Sequence, residues 1–234
     1  MRSGRNAARP VAEDQPNRPY QVLLSEGAVQ DLTRMRDAAA AEAAQYPGDK
    51  TPAHNANRTL YKNVLRELQD LETGSSKGHH VLGAHRGLGD GRDIVVSKIG
   101  DGTGKPNHRL TFREIPGRNA GGTDARDVIT IGPRHGSDGA YQQTAMRLGR
   151  SADSRLPQLD RFGEAQVGSG GKAHQRHPVL DANRAIAHAF DGQTPLSGSR
   201  PLSEAGFGSR AASGGAAKQA GNQVGRQGNP HRGQ

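Results

Sequence analysis

A small α+β domain with an antiparallel sheet is the fold this sequence predicts, and three observations carry the prediction. Apolar residues recur at helical spacing between Ala28 and Leu71. The period then changes, and three short β-forming runs follow one another between Asp93 and Ile131, separated by turn-rich loops. A last helical stretch closes the block near Arg150.

In chain order, residues 1–19 are rich in Arg, Pro, Asn and Ala without periodicity and read as a flexible leader. YQVLL, residues 20–24, reads as a strand, with Ser25 placed to cap the helix after it. Ala28, Leu32, Met35 and Ala39 recur at spacings of 4, 3 and 4, which predicts an amphipathic helix. YPGDKTP, residues 46–52, ends it. Leu60, Val64, Leu68 and Leu71 mark a second helix that stops before Gly74, so the two should pack as an antiparallel hairpin. Past the connector GSSKGHH and the segment VLGAHRGLGDG, the runs DIVVSKI (93–99), HRLTFREI (108–115) and DVITI (127–131) predict an antiparallel meander. A helix over about 138–149 presents Tyr141, Ala145 and Leu148 on one face.

The domain thus spans residues 20–150. Residues 151–234 read as a mostly disordered, basic tail dominated by Gly, Ser, Ala and Gln. One island, VLDANRAIAHAF at 179–190, predicts a short helix at 180–190 that docks on the chain itself or folds on a partner.

Composition agrees with that division. With 32% hydrophobic residues, 3% aromatics, 33 glycines and a mean hydropathy of -0.82, the 234 residues cannot form one packed core. The net charge of +9 points to a polyanionic partner. It is spread along the chain, +2 over 1–19, +3 over 20–150 and +4 over 151–234, so no segment is a polybasic arm. The absence of cysteine excludes disulfides, thiolate metal sites and a cysteine nucleophile. No apolar run approaches the roughly 20 residues of a membrane span, and the start lacks a signal-peptide centre. A bacterial-type cytoplasmic protein without membrane contact is the expectation. GDGTGK has too few residues between Gly100 and Gly104 for a phosphate loop and leads into a strand, so it reads as a hairpin turn. His79, His80 and His85 lack a fourth partner for a metal, and no cofactor is expected.

The stretch from Asp127 to Arg150 concentrates polar chemistry where a strand ends and a helix begins: Arg134, His135, Ser137, Asp138 and Tyr141. Its strand Ile129-Thr-Ile-Gly-Pro-Arg-His, running into Tyr141 and AMRLGR, resembles the terminal strand and closing segment of the RelE/ParE superfamily of type II toxins. HRLTF resembles their penultimate strand. The resemblance covers residues 20–150 and implies either an endoribonuclease that cuts mRNA on the ribosome, without a metal, or a ParE-like inhibitor of DNA gyrase. It also implies a cognate antitoxin, and a catalytically silent protein-binding domain of the same fold is a further alternative.

Cleaving RNA in this way needs one proton removed, another delivered, and charge neutralised on the phosphorus. Forked guanidinium donors suit the last task. The resemblance assigns Arg109 and Arg134 to the scissile phosphate, Tyr141 to the base, and Lys98 and Arg113 to substrate binding. His135 is the expected proton carrier, and the product a 2′,3′-cyclic phosphate. Each residue also has a plainer reading: solvated strand ends for the arginines, a surface position for Lys98, a loop position for His135, and a core-facing Tyr141 in register with Ala145 and Leu148. Two departures from the family stand out, the glycine-bearing GSDGA between His135 and Tyr141 and the long hairpin loop GDGTGKPN.

Overall fold

The computed structural model describes residues 20–85, 89–157 and 193–207. The leader and the helix expected at 180–190 lie outside the described residues. The described chain is α+β, with β1 (Gln21–Leu24), α1 (Glu26–Gln45), α2 (Ala56–Thr73), β2 (His80–His85), β3 (Gly89–Ile99), β4 (His108–Ile115), β5 (Ala125–Pro133), α3 (Ala140–Arg147) and β6 (Arg200–Pro201).

One sheet contains all six strands in the order β2-β3-β4-β5-β1-β6. β3 to β5 form the expected antiparallel meander, and β2, a strand the sequence did not predict, extends it; the sheet as a whole is mixed, because β1 pairs with β5 in parallel, Gln21 opposite Ala125 and Leu24 opposite Val128. A parallel neighbour needs a long crossover, and the helical hairpin with the meander behind it supplies one.

The helices form where the apolar spacing placed them. Ser25 caps α1 by accepting the Ala28 N–H at 3.1 Å. The start of α2 has no local cap; Glu42, near the end of α1, accepts the Asn57 and Arg58 amides at 3.1 and 3.0 Å. That contact joins the end of one helix to the start of the next and sets the antiparallel hairpin. Gly74, at φ 79°, ends α2 in a left-handed conformation that glycine adopts without a Cβ penalty. Ala28, Leu32, Leu60, Val64, Leu68 and Leu71 pack on the sheet face formed by Val22, Leu24, Val95, Ile99, Leu110 and Phe112.

α3 lies across the opposite face. Thr111 alternates with Leu110 and Phe112 along β4, and its hydroxyl meets that of Thr144 on α3 at 2.8 Å. β5 outlasts its neighbour β1, and side chains cover the exposed edge. Ser25 Oγ donates to the Ile129 carbonyl at 3.0 Å, and Asp31 accepts the Ile131 N–H at 3.0 Å. Arg147 reaches around from α3 to Asp31 at 2.6 Å. A Cβ on Gly27 would collide with that guanidinium, so glycine leaves it room.

The domain does not end at Arg150. Asp90 donates its N–H to the Ser154 carbonyl at 2.9 Å, so residues 151–157 dock beside β3. Residues 193–207, which the composition groups with the tail, return to the sheet as a strap. Gln193 donates to Asp93 at 3.1 Å. Buried Asp127 accepts from the Leu196 N–H at 3.0 Å and from the Ser199 hydroxyl at 2.7 Å. β6 then pairs with β1, and Leu202 enters the core at 3% exposure, with Phe207 packed alongside.

Candidate anion site on the sheet

The register of four strands assembles a row of cations. His80 on β2 faces Val96 on β3, and Lys98 lies two residues further along β3 on the same side. Lys98 is the cross-strand partner of Arg109 on β4, and Arg109 is the partner of Gly132 on β5. Arg134 follows Gly132 by two residues, just past the end of β5, with its N–H bonded to the Asn107 carbonyl at 2.8 Å. Arg109 shares its parity with Thr111, so the row belongs to the face that carries α3. Gly132, between Arg109 and Arg134 in the row, contributes no side chain; the Asp138 carbonyl and Ala140 lie within about 4 Å of where its Cβ would be.

Arg109 is the anomalous member. It is 3% exposed, yet among the described residues no carboxylate meets it. Its Nη1 donates to the Pro106 and His108 carbonyls at 3.1 and 2.6 Å, while its Nε–H is buried without an acceptor. Six other largely buried arginines among the described residues have carboxylate partners: Arg58 with Glu42, Arg92 with Asp90, Arg113 with Asp127, Arg126 with Glu114, Arg147 with Asp31 and Arg150 with Asp93. Burying a cation without a counter-charge costs several kcal/mol in general. At Arg109 the neighbours add to the cost, because Lys98 and Arg134 carry the same sign. What such a pocket lacks is an anion.

His80 registers that field. Burial, and after it the charges of Lys98, Arg109, His79 and Arg134, push its imidazole down to about 4 from the ordinary 6.5. Its Nδ1 is buried without a hydrogen-bond partner among the described residues. His108, by contrast, alternates with Arg109 along β4 and bonds the Asn107 side chain at 2.8 Å. Burial lowers its pKa too, against the opposing pull of Asp101.

The structure therefore brings together Lys98, Arg109 and Arg134 from the residues singled out in the sequence. His135 follows Arg134 in the exposed loop and makes no side-chain hydrogen bond among the described residues. Tyr141 sits half-buried in the first turn of α3. Arg113 is not part of the row. It lies four residues along β4 from Arg109, about 13 Å away at strand rise, and is tied to Asp127 at 3.2 Å and to the Thr194 carbonyl at 3.0 Å. Its guanidinium fastens the strap and is unavailable to a substrate in that arrangement.

His80 is the residue that sequence reasoning missed. The His-His pair was visible, but β2 was not, because Gly83, Gly87, Gly89 and Gly91 interrupt any strand pattern around it. Without β2 there was no register to place the imidazole beside Lys98.

No family model, no curated protein and no solved structure matches this chain. Among the described residues no helix is long and apolar enough to cross a membrane.

Proposed function

We propose that this chain is a toxin of RelE type, an endoribonuclease that cleaves mRNA, on the translating ribosome, at the Lys98, Arg109 and Arg134 row. One observation carries the reading: among the described residues a guanidinium is held almost fully buried without a carboxylate, flanked by two exposed cations that have no ion-pair partner there. A phosphodiester supplies the missing charge, and the forked donors of two arginines match its two free oxygens. Charge building on phosphorus during attack by the 2′-hydroxyl would meet the Arg109 donors, which the Pro106 and His108 carbonyls already hold in place, so that part of the site needs little reorganisation at the moment of reaction.

The element order gives the family reading further support. A strand, a helical hairpin, a meander and a closing helix follow one another as the RelE/ParE resemblance leads one to expect. Tyr141, at the start of α3 on the same face of the sheet, is the group for the base. A cognate antitoxin that covers this face and offers carboxylates to the row would silence it. The protein would then work in the cytoplasm, where messenger and ribosome are found.

Primer extension on a defined mRNA tests this directly. The full chain is added with and without purified ribosomes, beside an Arg109→Met, Arg134→Ala double variant. Discrete cuts that require the ribosome and vanish in the variant are expected. An intact message with the wild-type chain would overturn the nuclease reading, and inhibition of gyrase supercoiling by the same preparation would put the ParE-like alternative in its place.

A further inference from the structure

We propose that His80 is the proton acceptor of this site. The inference rests on the RNA-cleaving reading above and deepens it by naming the group that activates the attacking hydroxyl, a role for which the sequence offered His135.

Geometry is the first argument. His80 opens β2 and faces Val96, and Lys98 follows Val96 by two residues, so imidazole and ammonium are diagonal neighbours on one face of the sheet. Arg109 lies directly across from Lys98. A phosphate bridging Lys98, Arg109 and Arg134 would therefore have the imidazole at its flank. His135, in the loop beyond Arg134, has no hydrogen bond among the described residues to fix its ring, and a base must be fixed to act efficiently.

Electrostatics is the second. The charges that act most on His80 among the described residues are Lys98 on β3, Arg109 on β4, its own neighbour His79 and Arg134 past β5, and none of them is a carboxylate. The ring is thus neutral at pH 7, the form that accepts a proton. Nδ1 is buried without an acceptor, so among the described residues no group stabilises an imidazolium. A bound phosphodiester changes both conditions. It neutralises the row and places negative charge beside the ring, which raises the affinity of His80 for a proton only when substrate is present.

In the reaction, His80 takes the proton of the 2′-hydroxyl as the bond from O2′ to phosphorus forms and the bond from phosphorus to O5′ breaks. The departing 5′-oxygen is protonated by water, and the imidazolium returns its proton to the resulting hydroxide. The products are a 2′,3′-cyclic phosphate and a 5′-hydroxyl.

The test uses the full chain in two measurements. First, the His80 Cε1–H resonance, assigned by its loss in His80→Asn, is titrated by NMR with and without inorganic phosphate. The inflection is expected near 4 in the free protein and at least one pH unit higher with phosphate; an unmoved inflection overturns the coupling. Second, single-turnover cleavage on ribosomes is followed against pH for wild type, His80→Asn and His135→Asn. Slowing by about 100-fold or more in His80→Asn, with RNA binding retained and the acid limb of the profile gone, is expected, while His135→Asn keeps the wild-type profile. A wild-type rate and profile in His80→Asn would overturn the role of His80 and leave the nuclease reading standing, and so would loss of cleavage and RNA binding together. Absence of cleavage by the wild-type chain would overturn both.

Discussion

Replacing Arg109 with methionine should leave the fold as stable as before or more so, whereas the same replacement at Arg126 should cripple it. Both side chains are almost fully buried, at 3% and 2% exposure. Arg126 is bonded to Glu114 at 3.1 Å and to the Leu71 and Ser76 carbonyls at 2.7 and 2.6 Å, and it lies over the Tyr20 ring. Arg126→Met would leave Glu114 as a nearly buried, unpaired carboxylate, a loss of about 3–5 kcal/mol.

Arg109→Met forfeits only two hydrogen bonds to carbonyls, about 1 kcal/mol each, and removes a buried N–H without an acceptor that costs about 1–3 kcal/mol. It also relieves repulsion from Lys98 and Arg134. These gains at least offset the two lost bonds, and removal of the uncompensated buried charge adds to them, so the variant should be as stable as wild type or more so. Urea denaturation at pH 7 in phosphate-free buffer measures both variants. Added phosphate should stabilise wild type, by about 1.4 kcal/mol at ten times Kd, and leave Arg109→Met unmoved. A loss in Arg109→Met as large as in Arg126→Met would refute the argument, because it would make Arg109 a structural arginine like the other six.

Other consequences are equally open to measurement. Leu202→Ala should cost about 2–5 kcal/mol in urea denaturation, because the strap belongs to the core; a change near zero would detach residues 193–207 from the domain. Asp31→Asn strips Arg147 of its partner and weakens the cover on the β5 edge, so a loss of about 3–5 kcal/mol is expected. Stability against pH should carry two signatures. The His80 pKa is lowered in the fold to about 4, so the unfolded chain takes up that proton first as pH falls through 6.5, and stability declines from there down to about 4. His80→Gln should flatten that decline in the urea midpoints. Burial would raise the Glu42 pKa, but the amides of Arg58 and Asn57 outweigh it and hold the carboxyl below its usual value. Its contribution is therefore present above the ordinary glutamate pKa and lost as pH falls through the folded value, and Glu42→Gln should remove that step.

The legible parts of this fold were those that bury one face at a fixed period. Leu60, Val64, Leu68 and Leu71 sit at 5% exposure or less, as their spacing required. Glu42 and Asp31 are buried on α1 as well, which no periodicity could announce, since their burial depends on partners in distant elements. β6 is two residues long and is held by pairing with β1, and its approach is fixed by polar bonds to Asp127, so it carries no hydrophobic pattern to read. For the site, the sequence supplied Arg109, Arg134 and Lys98 as separate positions. That they share a face with His80 follows from strand register, which depends on how the strands pair across the sheet rather than on any one segment.

The most direct test of the central claim is binding of a single-stranded 2′-O-methyl oligoribonucleotide, which cannot be cut by its own 2′-oxygen, across a range of salt concentrations. If three cations hold phosphates, log K should fall with log salt at a slope of about −2 for wild type. Arg109→Met should lower the affinity at least about ten-fold and reduce the slope by about 0.7. Coincident isotherms for the two proteins would contradict the account, because the buried guanidinium would then be waiting for no phosphate.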